Sequence, residues 1–359
     1  MKRFVGPLLL VILIAGVAAG IFFSVRSQLA VRNIVTVRGL IGSEKEEFFL
    51  AARVIEALER GGVRVEIEKA GSRQIATSYD LSQYDFVFPA GIPAAEKIRR
   101  EQNISKSYDV FYSPMAIASW QPIADILVDN GVAQDQGGYY TLDFDKYMEL
   151  VAAGTRWKDL QGNNTYPVNK SMLITSTDVR KSNSAAMYLA LASYVANGDS
   201  VVENQAQAAT ILPLMEELFL KQGYTESSSE APFENYLVMG MGKAPLVMIY
   251  ESQFLYQAST QQGLQPGMTL IYPQPTIFTK HVLIPITEGG RKLGELLLND
   301  PTLRQLEVEF GFRNTDVAYF NQFVSKLNLK SPDILVDVVD PPSYEILESM
   351  IQQIEQKYK

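Results

Sequence analysis

The apolar positions of this chain switch back and forth between two periods. Ile34 to Ile41 is dominated by Ile, Val and Leu, which predicts a strand. Glu46 to Arg60 places Phe48, Phe49, Ala52, Val54, Ile55 and Leu58 at helical spacing and stops at Gly61-Gly62. Val63, Val65 and Ile67 then alternate with charges as far as Glu68, the pattern of a strand with one wet face. Asp85 to Pro89 is short and apolar, Ile92 to Arg100 helical, and Tyr108 to Ile117 apolar again. Strands alternating with helices predict βαβ units and a mainly parallel sheet.

The middle of the chain changes character. Trp120 to Val128 and Leu142 to Val151 read as helices, and Ser171 to Thr175 as a strand. Ala185 to Val195 is a strongly apolar helix, and Gln205 to Leu220 a second one interrupted by Pro213. Glu226 to Glu230 reads as a surface loop. Strands follow at Ala244 to Tyr250, Gly267 to Tyr272 and His281 to Ile286, with helices at Lys292 to Leu298 and Tyr344 to Lys357.

Four times a strand-like segment runs through small polar residues straight into a helix-like one. The junctions are Gly42-Ser43-Glu44-Lys45, Gly71-Ser72-Arg73, Tyr112-Ser113-Pro114 and Ser182-Asn183-Ser184. A helix N-terminus carries unpaired N–H donors and the positive end of the dipole, so such loops can hold an oxygen-rich or anionic ligand. Ser and Asn are also ordinary N-caps, and one junction by itself carries no site. Four of them spread over both halves of the chain predict a cleft lined by helix ends. Ser43 has Lys45 beside it to supply charge, and Ser72 pairs a hydroxyl with the guanidinium of Arg73. Ser182, Asn183 and Ser184 form the richest donor cluster, followed by Ala185-Ala186, which lets a ligand come close. Tyr250-Glu251-Ser252-Gln253 ends a strand where the chain returns between lobes. Tyr250 can close over a ligand there, whereas Glu251 opposes a bare anion unless it points away or pairs with Arg73 or Lys45.

The N-terminus adds a membrane. Lys2 and Arg3 precede an uncharged apolar run from Phe4 to Val25, and Arg26 follows. A bilayer core needs about 20 apolar residues and a signal-peptide core only about 7–15, so the length favours an uncleaved anchor. Small residues at Ala15, Gly16, Ala18, Ala19 and Gly20 keep the cleaved-signal alternative open. The flanking charges place the N-terminus inside and the rest of the chain outside.

Composition narrows the chemistry. The chain has 359 residues, enough for two lobes each with its own core. A net charge of -8 argues against a nucleic-acid partner. The chain has no cysteine, which removes disulfides, thiolate metal sites, cysteine nucleophiles and a lipid-modified cysteine. His281 is the single histidine, with no serine-elbow motif to serve, so no catalytic residue, metal site or cofactor is expected, and a hydrolase built on paired carboxylates is the one enzymatic alternative left open. Gly242-Lys243 approaches a P-loop, but Leu237 and Ala244 stand where a glycine and a Ser or Thr are needed.

In this order the segments resemble type II periplasmic substrate-binding proteins of ABC transporters, in particular the molybdate- and sulfate-type branch. Gly42-Ser43 follows the first strand and Ala70-Gly71-Ser72 the second, while Trp120-Gln121-Pro122 opens the second lobe. Thr155-Arg156-Trp157-Lys158-Asp159-Leu160 is similar to that family's Trp-spacer-Asp-Leu segment, and Gln305 to Phe312 to its late helix. The resemblance covers most of residues 33–312 and implies ligand contacts at Ser43, Ser72, Ser113, Ser184 and Tyr250. It implies an α/β, two-lobe fold, each lobe a mainly parallel sheet flanked by helices, preceded by a transmembrane helix. The implied division is 1–32 as anchor or signal segment, 33–117 as the first part of lobe 1, 118–250 as lobe 2, and 251–359 as the return segment plus C-terminal helices. The expected function is extracytoplasmic capture of a small oxygen-rich or anionic solute at a bacterial cell membrane, with an ABC permease or another membrane protein as partner. The alternative is a membrane-tethered sensor or scaffold that binds a protein or peptide. The chain departs from the family in carrying a helix in place of a lipidated cysteine, and in Glu251.

Overall fold

The protein, described from a computed structural model, is defined over residues 34–358 except 224, 227, 229 and 334. The anchor expected at Phe4 to Val25 lies outside the described residues. Among those described, no helix is long and apolar enough to cross a membrane.

The first lobe forms around β1 (Val35–Ile41), which pairs in parallel with β2 (Val63–Lys69) and β3 (Phe86–Phe88). A 3-10 turn at Ser43–Lys45 leads from β1 into α1 (Glu46–Leu50) and α2 (Ala52–Arg60). The single helix expected over this stretch is two, because Ala51 takes an extended ψ of 129°. Then come α3 (Ser72–Thr77) between β2 and β3, α4 (Ile92–Glu101) after β3, and the long β4 (Tyr108–Trp120).

The second lobe holds α5 (Gln121–Asp129), β5 (Ala133–Asp135), β6 (Tyr140–Asp143) and α6 (Phe144–Ala152). It continues with α7 (Asn183–Ala196), α8 (Gln205–Leu220), α9 (Glu230–Met239), β7 (Leu246–Tyr250), α10 (Glu251–Ser259) and β8 (Met268–Gln274). The chain re-enters the first sheet along β9 (Thr276–Pro285). It ends with α11 (Glu288–Asn299), α12 (Pro301–Glu309), α13 (Val317–Lys326), β10 (Val338–Val339) and α14 (Tyr344–Glu355).

β4 and β9 are the two crossings. The first half of β4 pairs antiparallel with β9, and from Met115 onward it pairs antiparallel with β7 and then also β8. The sheets are therefore mixed and not mainly parallel, since strands carrying the chain out and back must oppose their neighbours. This overturns the junction expected at Tyr112-Ser113-Pro114, which lies inside unbroken β4. Pro114 is tolerated there because it sits where β4 exchanges β9 for β7.

Each face of the first sheet has its own apolar layer. Val37, Ile41 and Phe88 pack with Phe48, Leu58 and Leu306 on one side. Leu40, Val87 and Ile284 pack with Ile75, Ala94 and Ile98 on the other. The second lobe has one large core in which nearly all of α7 is buried. The stripe Leu347, Met350, Ile351 and Ile354 places α14 in that core, against α8.

Candidate functional site

Three segments end at the interface between the lobes, each feeding a helical turn. β1 runs through Gly42 into the turn at Ser43, β2 through Ala70-Gly71 into α3, and the chain after Thr175 through Ser182 into α7. From the second lobe β7 adds Tyr250, the N-cap of α10. Together they enclose a cleft of about 300 Å³ lined by Ser43, Glu44, Lys69, Gly71, Ser72, Gln74, Lys181, Ser182, Asn183, Ser228, Glu230 and Tyr250. Its walls present hydroxyls, amides and first-turn N–H groups, which suit an oxygen-rich solute.

Five of the residues singled out from the sequence line this cleft: Ser43, Ser72, Ser182, Asn183 and Tyr250. The Ser72 hydroxyl accepts from the Ala90 N–H at 2.9 Å, which leaves its own proton free to donate. Asn183 Nδ2 donates to the Tyr250 hydroxyl at 3.1 Å, joining α7 to α10 across the floor. Ser228 Oγ donates to Ser43 Oγ at 3.1 Å and closes the mouth between the lobes. Ser184 lies one layer back, buried, with Thr177 and Ser182 hydroxyls each at 2.9 Å.

Three candidates have other work. Arg73 turns away from the cleft and grips Glu348 of α14 through Nε at 2.8 Å and Nη2 at 2.6 Å. Its Nη1 donates to the Arg180 carbonyl at 2.9 Å. Ser113 is buried in β4 and accepts from the Ser252 N–H at 3.1 Å, so it braces a crossing. Glu251 is fully buried and pairs with neither Arg73 nor Lys45 but with Arg313, at 2.6 and 2.8 Å, and it accepts from the Tyr272 hydroxyl. The conflict between Glu251 and an anionic ligand therefore disappears, since the carboxylate is compensated outside the cleft.

Four charged residues line the cleft, Glu44, Lys69, Lys181 and Glu230, and of these Glu44 is held by a buried pair. Burial pushes its carboxyl up, but Lys45 and His281 together outweigh that and hold it below the usual carboxylate range. Lys45 itself is buried: its ammonium contacts Glu44, lies 3.0 Å from His281 Nδ1 and sits 5.0 Å from the Phe88 ring centre. Burial pulls the Lys45 pKa down while Glu44 pushes it back up. His281, inside β9, is lowered to about 4, first by burial and then by Lys45. Burial, and then the Glu44 charge, raises the Tyr250 phenol well above its usual value, so it stays a neutral donor. Lys45 thus neutralises Glu44 and is not a cation offered to the ligand.

Glu44, Lys69, Gly71, Gln74, Lys181, Ser228 and Glu230 line the cleft without having been singled out as ligand contacts. Glu44 and Gly71 fall inside the quoted junctions, so their position was readable. Ser228 and Glu230 lie in what read as a surface loop; only the closed geometry brings them to the mouth. A larger hollow of about 410 Å³ lies on the second lobe beside Asp143, Asp145, Asp199 and Asp337, away from these helix ends.

Neither a known protein family nor any curated protein sequence matches the chain. Solved structures do match by fold. The sulfate-binding protein SubI from Mycobacterium tuberculosis is 14% identical, over 90% of this chain and 100% of that one, with a TM-score of 0.53. The periplasmic binding protein AfuA from Actinobacillus pleuropneumoniae, with fructose-6-phosphate bound, is 9% identical over 90% and 98%, with a TM-score of 0.56. Iron-bound HitA from Pseudomonas aeruginosa is 11% identical over 89% and 99%, with a TM-score of 0.53. These three carry different named ligands, so the expected molybdate- and sulfate-like branch is not singled out among them. The chain has the two-lobe, mixed α/β fold of periplasmic binding proteins.

Proposed function

We propose that this chain is an extracytoplasmic solute-binding protein, held at a bacterial membrane by the run Phe4 to Val25, that captures a small oxygen-rich solute for an ABC-type permease. The observation that carries this is the cleft itself: the turn at Ser43 and the N-termini of α3 and α7 meet there, and hydroxyls line it. Ser43, Ser72, Ser182, Asn183 and Tyr250 are the proposed contacts, with Lys69 and Lys181 supplying charge at the rim. Closure would follow bending of β4 and β9, the two strands that join the lobes.

A second reading has one observation in its favour. Glu348 of α14, a helix packed on the second lobe's core, holds Arg73 of the first lobe, which restrains opening and suits a tethered sensor or scaffold. A thermal-shift panel of oxyanions, sugar phosphates, sugars and amino acids separates the two. A ligand at about 100 times its dissociation constant adds about 2.7 kcal/mol of stability. The proposal expects such a shift, lost in Asn183→Ala; no shift across the panel sinks it and favours the scaffold.

A further inference from the structure

Glu44 has a second side. Beyond it the cleft continues into a chamber of about 170 Å³ between α1, α9, α10 and the Phe310–Phe312 corner. Ser43, Glu44 and Glu230 border both spaces, so the two are adjoining compartments of one site. Their chemistry differs. The first compartment has Lys69 and Lys181 against Glu44 and Glu230, and it receives the helix N-termini. The second has four carboxylates, those of Glu44, Glu47, Glu230 and Glu234, and no cation among its lining residues.

The remaining wall is aromatic. Phe233, Tyr256, Phe310 and Phe312 line the chamber, and Tyr256 stacks on Phe310 with ring centres 4.8 Å apart. The hydroxyl of Ser252 lines it too; that residue is 2% exposed, and its Oγ has no hydrogen-bond partner among the described residues. A buried hydroxyl without a partner is costly and marks a place where a ligand supplies the missing bond. Glu44 has Lys45 and Glu230 has Lys69 at 3.9 Å, but no cation lines the chamber beside Glu47 and Glu234, so an anion would be repelled there and a neutral apolar group would cover those two carboxylates without compensation. Aromatic rings beside carboxylates fit an organic cation on an apolar stem. The crowding of acids also shows at Glu230, whose carboxyl is raised by burial and then by Glu46, Glu234 and Glu47, against the pull of Lys69.

We infer that the solute is a small zwitterion, its carboxylate or other oxyanion at the α7 N-terminus beside the Ser72, Ser182 and Asn183 side chains and its organic cation in the chamber walled by Glu47, Glu234, Tyr256 and Phe310. This rests on the solute-binding reading and names its substrate class. The test is calorimetric titration of the full chain with γ-aminobutyrate, glycine betaine and L-lysine. Sulfate and acetate serve as anions without a cation, and choline as a cation without an anion. At least one zwitterion should bind more tightly than any of the half-molecules. Glu47→Gln and Glu234→Gln, both at exposed positions, should each weaken it about tenfold while leaving the unfolding temperature and any sulfate or acetate binding unchanged. Binding of a bare oxyanion that Asn183→Ala abolishes, with every zwitterion silent, overturns the inference and leaves the solute-binding reading standing. Zwitterion binding indifferent to both glutamine variants also overturns it. Silence from every probe overturns the inference together with the reading beneath it.

Discussion

Arg313 holds Glu251 through two contacts, Nε to Oε2 at 2.6 Å and Nη2 to Oε1 at 2.8 Å, in a buried pair. Arg313 also exchanges backbone hydrogen bonds with Tyr112 of β4, at 2.8 and 2.9 Å. The pair therefore fastens the start of α10 to the crossing strand, just where Ser113 receives the Ser252 N–H.

Breaking this pair from one side leaves a buried charge. Arg313→Met should destabilise the protein by about 3–5 kcal/mol, because Glu251 then lacks its cation and keeps only the Tyr272 hydroxyl. Replacing both residues by Met should recover most of the loss, since two apolar groups leave no orphaned charge. Urea unfolding of the single and double variants measures this. Equal losses in the two would show that packing, and not charge compensation, dominates.

The clasp between Arg73 and Glu348 spans the lobes and is partly wet, with side-chain exposures of 24% and 14%. Arg73→Ala should therefore cost about 1–2 kcal/mol, between an exposed and a buried pair. It also removes the tie to the Arg180 carbonyl. Small-angle scattering should show a larger radius of gyration in the variant if the clasp holds the lobes together. An unchanged radius would assign the clasp to α14 docking alone.

Local pattern carried much of this fold, and long-range partnership carried the rest. Gln205 to Leu220 is α8 to the residue, because a helical apolar stripe and Asn204 as N-cap are local signals. Ser182-Asn183 reads correctly as the entry to α7 because small polar residues stand directly before a long apolar run, although Ser182 makes no side-chain cap there. Tyr112-Ser113-Pro114 misleads, since a proline after a serine looks like a turn unless the switch of strand partners is known. No local signal pairs Arg73 with a residue 275 positions away, or Glu251 with one 62 away. In the sequence Arg73 stands beside the Ser72 hydroxyl and Glu251 beside Tyr250, and those local neighbours suggest a ligand where the fold supplies distant partners.

Two buried groups give the stability opposite slopes with pH. His281 titrates near 4 in the folded chain against an ordinary 6.5, so the unfolded chain binds the extra proton and stability is lost as pH falls from 6.5 towards 4. Glu307 is raised to about 8 from 4.5 by burial, against Asn314 and Arg304, so the folded chain keeps its proton and stability falls as pH rises from 4.5 to 8. Between 4.5 and 6.5 the two oppose each other; above 6.5 His281 no longer offsets Glu307. Stability should drop by about 2 kcal/mol between pH 6.5 and 8, and Glu307→Gln should flatten that limb. Denaturant midpoints at several pH values test this, and a limb unchanged by the glutamine would refute the assignment.

Gly71 offers the most direct probe of the cleft, because it is a matter of space alone. Its φ of -66° and ψ of 145° suit any residue, so alanine brings no backbone strain. A Cβ there would run into the Lys181 carbonyl oxygen, across the gap between the α3 and α7 N-termini. Backbone cannot swing aside as a flexible side chain would, so the lobes themselves must part. Gly71→Ala should leave each lobe's core intact and lower the unfolding temperature only slightly. It should still weaken any cleft ligand about tenfold or more, since Ser72 and Asn183 could no longer reach the same molecule. Titration of the variant beside Asn183→Ala separates wedge from contact: Asn183→Ala removes one donor, whereas Gly71→Ala should also enlarge the radius of gyration. Wild-type affinity in Gly71→Ala would mean that the ligand binds with the lobes apart.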